Sequence, residues 1–165
     1  MKKFIMLSVI LGGAFIFMFS PYLAIFQIND AIQTNNMNKF MHLINLPAVK
    51  NNVSERFKQE LYAKETEVSN NPAIVNTAKQ LIIAKSVTYV VDILMTPENI
   101  KTVFSELPKQ KSTSQTSIDY IYIGLNEFHI NYNINNNKHT IVLKRNALFF
   151  WKIEDIIFKL DPSLF

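Results

Sequence analysis

The chain is 165 residues long with a formal net charge of +4, three glycines and no cysteine. The missing thiol excludes disulfides, cysteine nucleophiles and acylation of a lipoprotein cysteine. Two of the four net charges are Lys2 and Lys3, and the remaining lysines are interspersed with Asp and Glu. That is not the basic footprint of a nucleic-acid binder.

Residues Phe4 to Phe26 read FIMLSVILGGAFIFMFSPYLAIF, without a charge. At about 1.5 Å per residue, some 20 apolar residues cross a hydrocarbon layer of about 30 Å. A secretory signal is the alternative, since it also starts basic and apolar. Its apolar run is only about 7–15 residues, and it needs small residues at −3 and −1 of the cleavage site. Cleavage after Ser20 puts Met18 at −3, and cleavage after Ala24 puts Tyr22 there. The sequence therefore favours an uncleaved single span through residues 4–26, with the lipid bilayer as its partner. By the positive-inside bias Lys2 and Lys3 stay cytoplasmic, so residues 27–165 form a periplasmic domain on a bacterial inner membrane.

Past Gln27 the helical pattern continues to Gln33, with Pro21 either starting a new helix or kinking a continuous one. Asn36 suits the cap of a short helix carrying Met37, Phe40, Met41, Leu43 and Ile44. Pro47 opens a helix that shows Val49, Val53, Phe57 and Leu61 as one buried stripe. Ala73 to Met95 is apolar and rich in Ile and Val. Without an internal turn residue it reads as one helix with Ile74, Ala78, Leu81, Ile82, Val90 and Leu94 at helical spacing. Lys79, Lys85 and Asp92 argue against a second span. Thr96-Pro97-Glu98 starts another helix, to about Leu107, and Pro108 to Thr116 reads as an exposed loop.

The period then changes to two. Ser117–Ile123, Glu127–Ile134, His139–Asn146 and Phe149–Phe158 are four strands of an antiparallel meander. With turns at Leu125-Asn126 and Asn136-Asn137, Ile123 faces Phe128, Ile121 faces Ile130, Ile130 faces Leu143 and Tyr132 faces Ile141. Ile121, Ile123, Phe128, Ile130, Tyr132, Ile141 and Leu143 then share the buried face. Tyr120, Tyr122, His129, Asn131, Asn133, Val142 and Lys144 share the other. Helices followed by strands give an α+β fold: an N-terminal transmembrane helix, then helices packed on one face of a four-stranded antiparallel meander.

Motifs of chemistry are scarce. His42, His129 and His139 have no metal-ligand spacing, and no nucleophile-elbow, phosphate-loop or dinucleotide pattern occurs. Catalytic and metal residues are accordingly none, and no cofactor is expected. Glu98 is accounted for by the helix start, and Trp151 by a core or sheet-edge anchor. The one gathering of rings and titratable groups is Tyr120, Tyr122, His129 and Lys144, a candidate binding face.

Ser20-Pro21-Tyr22 with Gln27 and Ala31, Leu46-Pro47-Ala48-Val49, Met95-Thr96-Pro97-Glu98, and Leu143-Lys144-Arg145 with Trp151-Lys152-Ile153 and Ile156 together resemble the bacterial domain-of-unknown-function family 2939. The resemblance covers nearly the whole chain in order. It implies a membrane-anchored protein of Gram-negative bacteria, with no activity or catalytic residue to carry over. Asn45-Leu46-Pro47 stands where the family commonly has Asp-Phe-Pro. The closing strands are also similar to NTF2-like and cystatin-like α+β cones, an analogy of fold alone.

Three readings of function follow. The leading one is a non-catalytic module binding an envelope protein partner. The alternatives are a binder of an apolar or lipid-like ligand between sheet and helices, and an enzyme of NTF2-like geometry using Tyr120, Tyr122 and His129. A cavity favours the second, a polar Tyr/His cleft the third, and a filled core with an exposed apolar patch the first.

Overall fold

The computed structural model describes residues 2–68, 75–106, 118–134 and 137–158. The loop expected over 108–116 and the turn between the second and third strands lie outside them. Five helices precede the sheet: α1 (Lys2–Gln33), α2 (Met37–His42), α3 (Leu46–Val68), α4 (Val75–Leu94) and α5 (Pro97–Glu106). Four strands follow, β1 (Ile118–Gly124), β2 (Glu127–Ile134), β3 (Asn137–Ala147) and β4 (Phe150–Ile157), hydrogen-bonded in sequence order as an antiparallel meander. The fold is α+β, with an N-terminal apolar helix.

Pro21 lies inside α1 and does not divide it. The short loop after α1 turns at Asn35, the one described non-glycine residue with positive φ, a conformation Asn tolerates better than most side chains. Asn36 then caps α2, its side chain accepting from the Lys39 amide at 2.9 Å. Asn45 begins α3, and Thr96 begins α5 by accepting from the Asn99 amide at 3.2 Å.

The core lies between the helices and one sheet face. It collects Ala24, Ile28 and Ala31 of α1, Phe40 of α2, Val49 and Val53 of α3, Val87 and Val91 of α4, and Ile100 and Phe104 of α5. From the sheet come Phe128, Ile130, Tyr132, Ile141, Leu143, Trp151, Ile153 and Ile156. Phe57 and Leu61 are half-buried against this core, so the α3 stripe packs as its spacing predicts. The α4 stripe does not: Val87 and Val91 point inward, and Leu81, Ile82, Val90 and Leu94 are exposed. Large apolar side chains surround this helix on several sides, so periodicity alone does not select its inner face.

β4 would be a free edge, but residues 43–45 pair with it: the Asn45 amide donates to the Ile153 carbonyl and the Ile153 amide to the Leu43 carbonyl, each at 2.9 Å. Arg56 of α3 adds a two-pronged contact to the Asp155 carboxylate and donates to the Ile156 carbonyl at 2.8 Å.

The register of β1 differs from expectation. The turn does fall at Leu125-Asn126, with Gly124 opposite Glu127. A bulge between Tyr122 and Gly124 then shifts the pairing by one residue, so Tyr122 faces Phe128, Tyr120 faces Ile130 and Ile121 faces His129. One extra residue reverses every side chain beyond it. Tyr120 and Tyr122 join the inner face, and Ile121 and Ile123 the outer one. The β2–β3 pairing is displaced by two residues, with Ile130 opposite Ile141 and Tyr132 opposite His139. A displacement of two leaves each side chain on its expected face.

Candidate functional site

The flipped register places Tyr120 beside α1 rather than beside His129. Between Tyr22–Gln33 of α1, Phe104 of α5 and the inner face of β1 and β2 runs a groove of about 390 Å³, within the range of small-ligand pockets. Ile25, Phe26, Ile28 and Ile32 form the helical wall, and Ile118, Tyr120, Ile130 and Tyr132 the sheet wall. Asn29 and Gln33 supply amides. The groove arises because α1 reaches across the inner face to pack on β4 and α5, leaving the β1 side only partly filled.

Among the described residues no carboxylate, imidazole or ammonium lines this groove. The Tyr120 and Tyr132 phenols stay protonated at neutral pH. Burial pushes Tyr132 up to about 12, and burial with the neighbouring Tyr22 raises Tyr120. Such a lining surrounds an apolar chain and offers neutral hydrogen bonds, and it supplies no proton-transfer group near neutrality. Tyr22 closes one end, 5.3 Å from the Phe128 ring in an edge-on arrangement and 6.1 Å from Tyr120.

Below Tyr22 lies a second cluster that fixes the groove walls. Pro21 has no amide hydrogen, so the Phe17 carbonyl loses its usual helical donor. Ser20 Oγ donates to that carbonyl at 2.7 Å and Arg145 Nη2 at 3.3 Å. Trp151 Nε1 donates to Ser20 Oγ at 2.8 Å, and Arg145 Nη1 reaches the same oxygen at 3.2 Å. The guanidinium lies over the Phe17 ring at 3.5 Å and the Trp151 ring at 4.4 Å. It also holds both neighbouring hairpin turns, through the Leu125 carbonyl at 3.0 Å and the Leu148 carbonyl at 2.5 Å. Tyr122 completes the attachment by donating to the Met18 carbonyl. Burial lowers the Arg145 pKa and the nearby Tyr122 raises it, yet a guanidinium starts so high that it stays charged.

His129 and Lys144 belong to the opposite, outer face, so the four residues singled out in the sequence do not form one cluster. His129 Nε2 lies 2.7 Å from Glu127 Oε1, and Lys144 Nζ lies 3.8 Å from Glu127 Oε2. Glu127, two positions earlier on the same strand face, is the acidic neighbour of His129. The centre of the outer face is not solvated: Asn131, Thr140 and Val142 are buried, and Thr140 Oγ1 donates to Asn131 Oδ1 at 2.7 Å. Among the described residues no three His, Asp or Glu side chains gather into a metal-ligand set.

Arg145 is the residue that sequence reasoning missed. Its trace was the pairing of Ser20-Pro21 with Leu143-Lys144-Arg145 and Trp151 in one set of motifs. An inward-phased arginine at the end of an apolar strand was the physical sign.

A family model described as "Protein of unknown function (DUF2939)" matches residues 10–103, from α1 into α5. The strand residues Leu143–Arg145 and Trp151–Ile156 lie beyond the matched segment. No curated protein and no solved structure matches the chain. More than half the chain falls within the family model, and the protein belongs to the DUF2939 family of unknown function.

Proposed function

We propose that this protein is a binding module on a bacterial inner membrane, facing the periplasm, whose groove between α1 and the β1–β2 strands holds one apolar chain, such as a lipid acyl chain. The observation that carries this reading is the apolar lining of the groove and its position directly beyond the largely exposed Phe4–Phe19 stretch of α1. α1 is long and apolar enough to cross a bilayer, the character of an anchor or of a signal sequence. As an anchor, it sets the Tyr22 end of the groove at the membrane surface, where acyl chains are the abundant apolar ligand. The polar Asn29 and Gln33 then stand at the end away from the membrane.

The test is displacement of a fluorescent long-chain fatty acid from the detergent-solubilised full chain, compared with Ile118→Trp. Ile118 is half-buried on the groove wall, so a larger ring there fills the space with little disturbance of the core. Saturable binding that falls about tenfold or more in Ile118→Trp, at an unchanged melting temperature, supports the groove. Equal binding by both proteins, or none by either, contradicts it.

A protein partner is the second reading, favoured by the edge of the sheet. Among the described strands β1 pairs on one side only, and its Ile121 and Ile123 are exposed. An added strand would align with β1 and direct alternate side chains toward the groove mouth. Crosslinking from Asp119 in native membranes, followed by identification of the attached protein, separates this reading from the first.

A further inference from the structure

The two hairpin turns at one end of the sheet, Leu125-Asn126 and Leu148-Phe149, carry apolar side chains that the fold does not bury. Leu125 is 68% exposed, Leu148 71% and Phe150 69%. In an antiparallel meander the first and third turns share an end, and here that end abuts α1 at Phe17, Met18 and Ser20 through Arg145, Tyr122 and Trp151. The exposed tips are therefore level with the last residues of the bare apolar helix, beside its exposed Phe15, Met18 and Phe19.

The length of α1 points the same way. Among the described residues of α1 the first buried one is Ser20. The stretch before it, Phe4 to Phe19, covers about 24 Å at the usual helical rise, short of a hydrocarbon layer of about 30 Å. About 6 Å of the layer must be met by thinning or by other apolar groups entering it. The tips are the apolar groups at that height. Behind them stand Lys144 and Lys152, paired across β3 and β4, cations suited to the anionic lipid headgroups just above.

We propose that the two hairpin tips form a collar immersed in the headgroup–acyl boundary of the leaflet nearest the domain, with Leu125, Leu148 and Phe150 in lipid and the Lys144 and Lys152 cations at the phosphates. The bilayer is then a partner of the sheet as well as of α1. Immersed to this depth, the collar fixes the tilt of the domain and holds the Tyr22 end of the groove at the lipid surface. It rests on α1 spanning the membrane.

The chain has no cysteine, so a single introduced thiol is labelled without competition from a native one. Full-length Leu125→Cys, Leu148→Cys, Ile10→Cys and Lys138→Cys proteins carry an environment-sensitive fluorophore in vesicles of phosphatidylethanolamine and phosphatidylglycerol. Lipids bearing a nitroxide near the glycerol or near the chain end act as quenchers. All four positions are exposed, and Lys138 lies on the order of 25 Å further along β3. The expected result is quenching at Leu125 and Leu148 by the shallow nitroxide, several-fold stronger than at Lys138, and quenching at Ile10 by the deep one. Tips that behave like Lys138 while Ile10 is quenched overturn the collar and leave the anchor standing. An unquenched Ile10 removes the anchor, and the collar falls with it.

Discussion

The two parts of α1 are both apolar as far as Phe26 and opposite in surroundings. Phe4 to Phe19 presents apolar side chains on all sides, and those described stay exposed or nearly so. From Ser20 to Gln33 one face is buried through Ser20, Ala24, Ile28 and Ala31, while Leu23, Phe26 and Gln27 remain outside. Apolarity does not mark the change, because it runs on from Ser20 to Phe26. What marks it is Ser20, Ala24 and Ala31 on the buried face, small residues that let the sheet approach the helix closely, and Ser20-Pro21, which opens a carbonyl for an arginine. A helix meant for lipid needs no such face. One meant for both lipid and a protein core needs it on one half only.

The largest effect that distinguishes the halves comes from matched phenylalanines. Phe128 is fully buried against Tyr22, Tyr122 and Trp151, and Phe128→Ala should cost about 3–5 kcal/mol. Phe15→Ala, on the bare half, should leave the melting of the domain unchanged. Urea denaturation of both variants in mild detergent checks this. A bilayer-level role for Phe128, or a core role for Phe15, would reverse the pattern.

Matched serines sharpen the comparison. Ser20→Ala removes the acceptor of the buried Trp151 indole and a partner of Arg145, at a cost of about 1–3 kcal/mol for the donor left unsatisfied. Ser8 only bonds back to the Phe4 carbonyl within its own helix, and Ser8→Ala should be neutral. Tryptophan emission in Ser20→Ala, shifted while Ser8→Ala matches the parent protein, reports the same difference locally.

The smallest predicted effect is a pH dependence. His139 stacks on Tyr132 at 5.3 Å, and burial holds its pKa below the ordinary 6.5. Above the unfolded value the ring is neutral in both states and contributes no dependence on pH. As pH falls through 6.5 toward the folded value, the unfolded chain takes up the proton first and the fold loses stability. Melting temperature should therefore drop between about pH 7 and 5. In His139→Phe, which keeps the ring contacts, part of that drop should disappear.

Much of this arrangement was legible in the sequence, because helix caps and strand alternation are local. Asn36 and Thr96 mark helix starts by short-range hydrogen bonds, Pro47 marks the first turn of α3, and the β2–β3 alternation survived a displacement of two residues. The β1 faces were not legible. Tyr120 and Tyr122 alternate with Ile121 and Ile123, so either set makes a plausible inner face, and the bulge that chooses between them has no signature in composition. The inner face of α4 was hidden for a similar reason. The groove itself is a space between α1, α5 and two strands, and no residue pattern encodes where packing stops short. Arg145 was visible as a residue, but its role depends on a carbonyl freed far away in the chain by Pro21.

The most direct test of the account concerns α1 as one retained helix serving lipid with one half and the domain with the other. Cleavage after Ser20 would detach the hydroxyl that Trp151 and Arg145 share, and cleavage after Ala24 would also remove two further buried residues, Pro21 and Ala24. Intact-mass measurement of the protein extracted from bacterial membranes decides the matter. The account predicts a mass for the full chain of 165 residues, and a mature form beginning near Pro21 or Ile25 would contradict it.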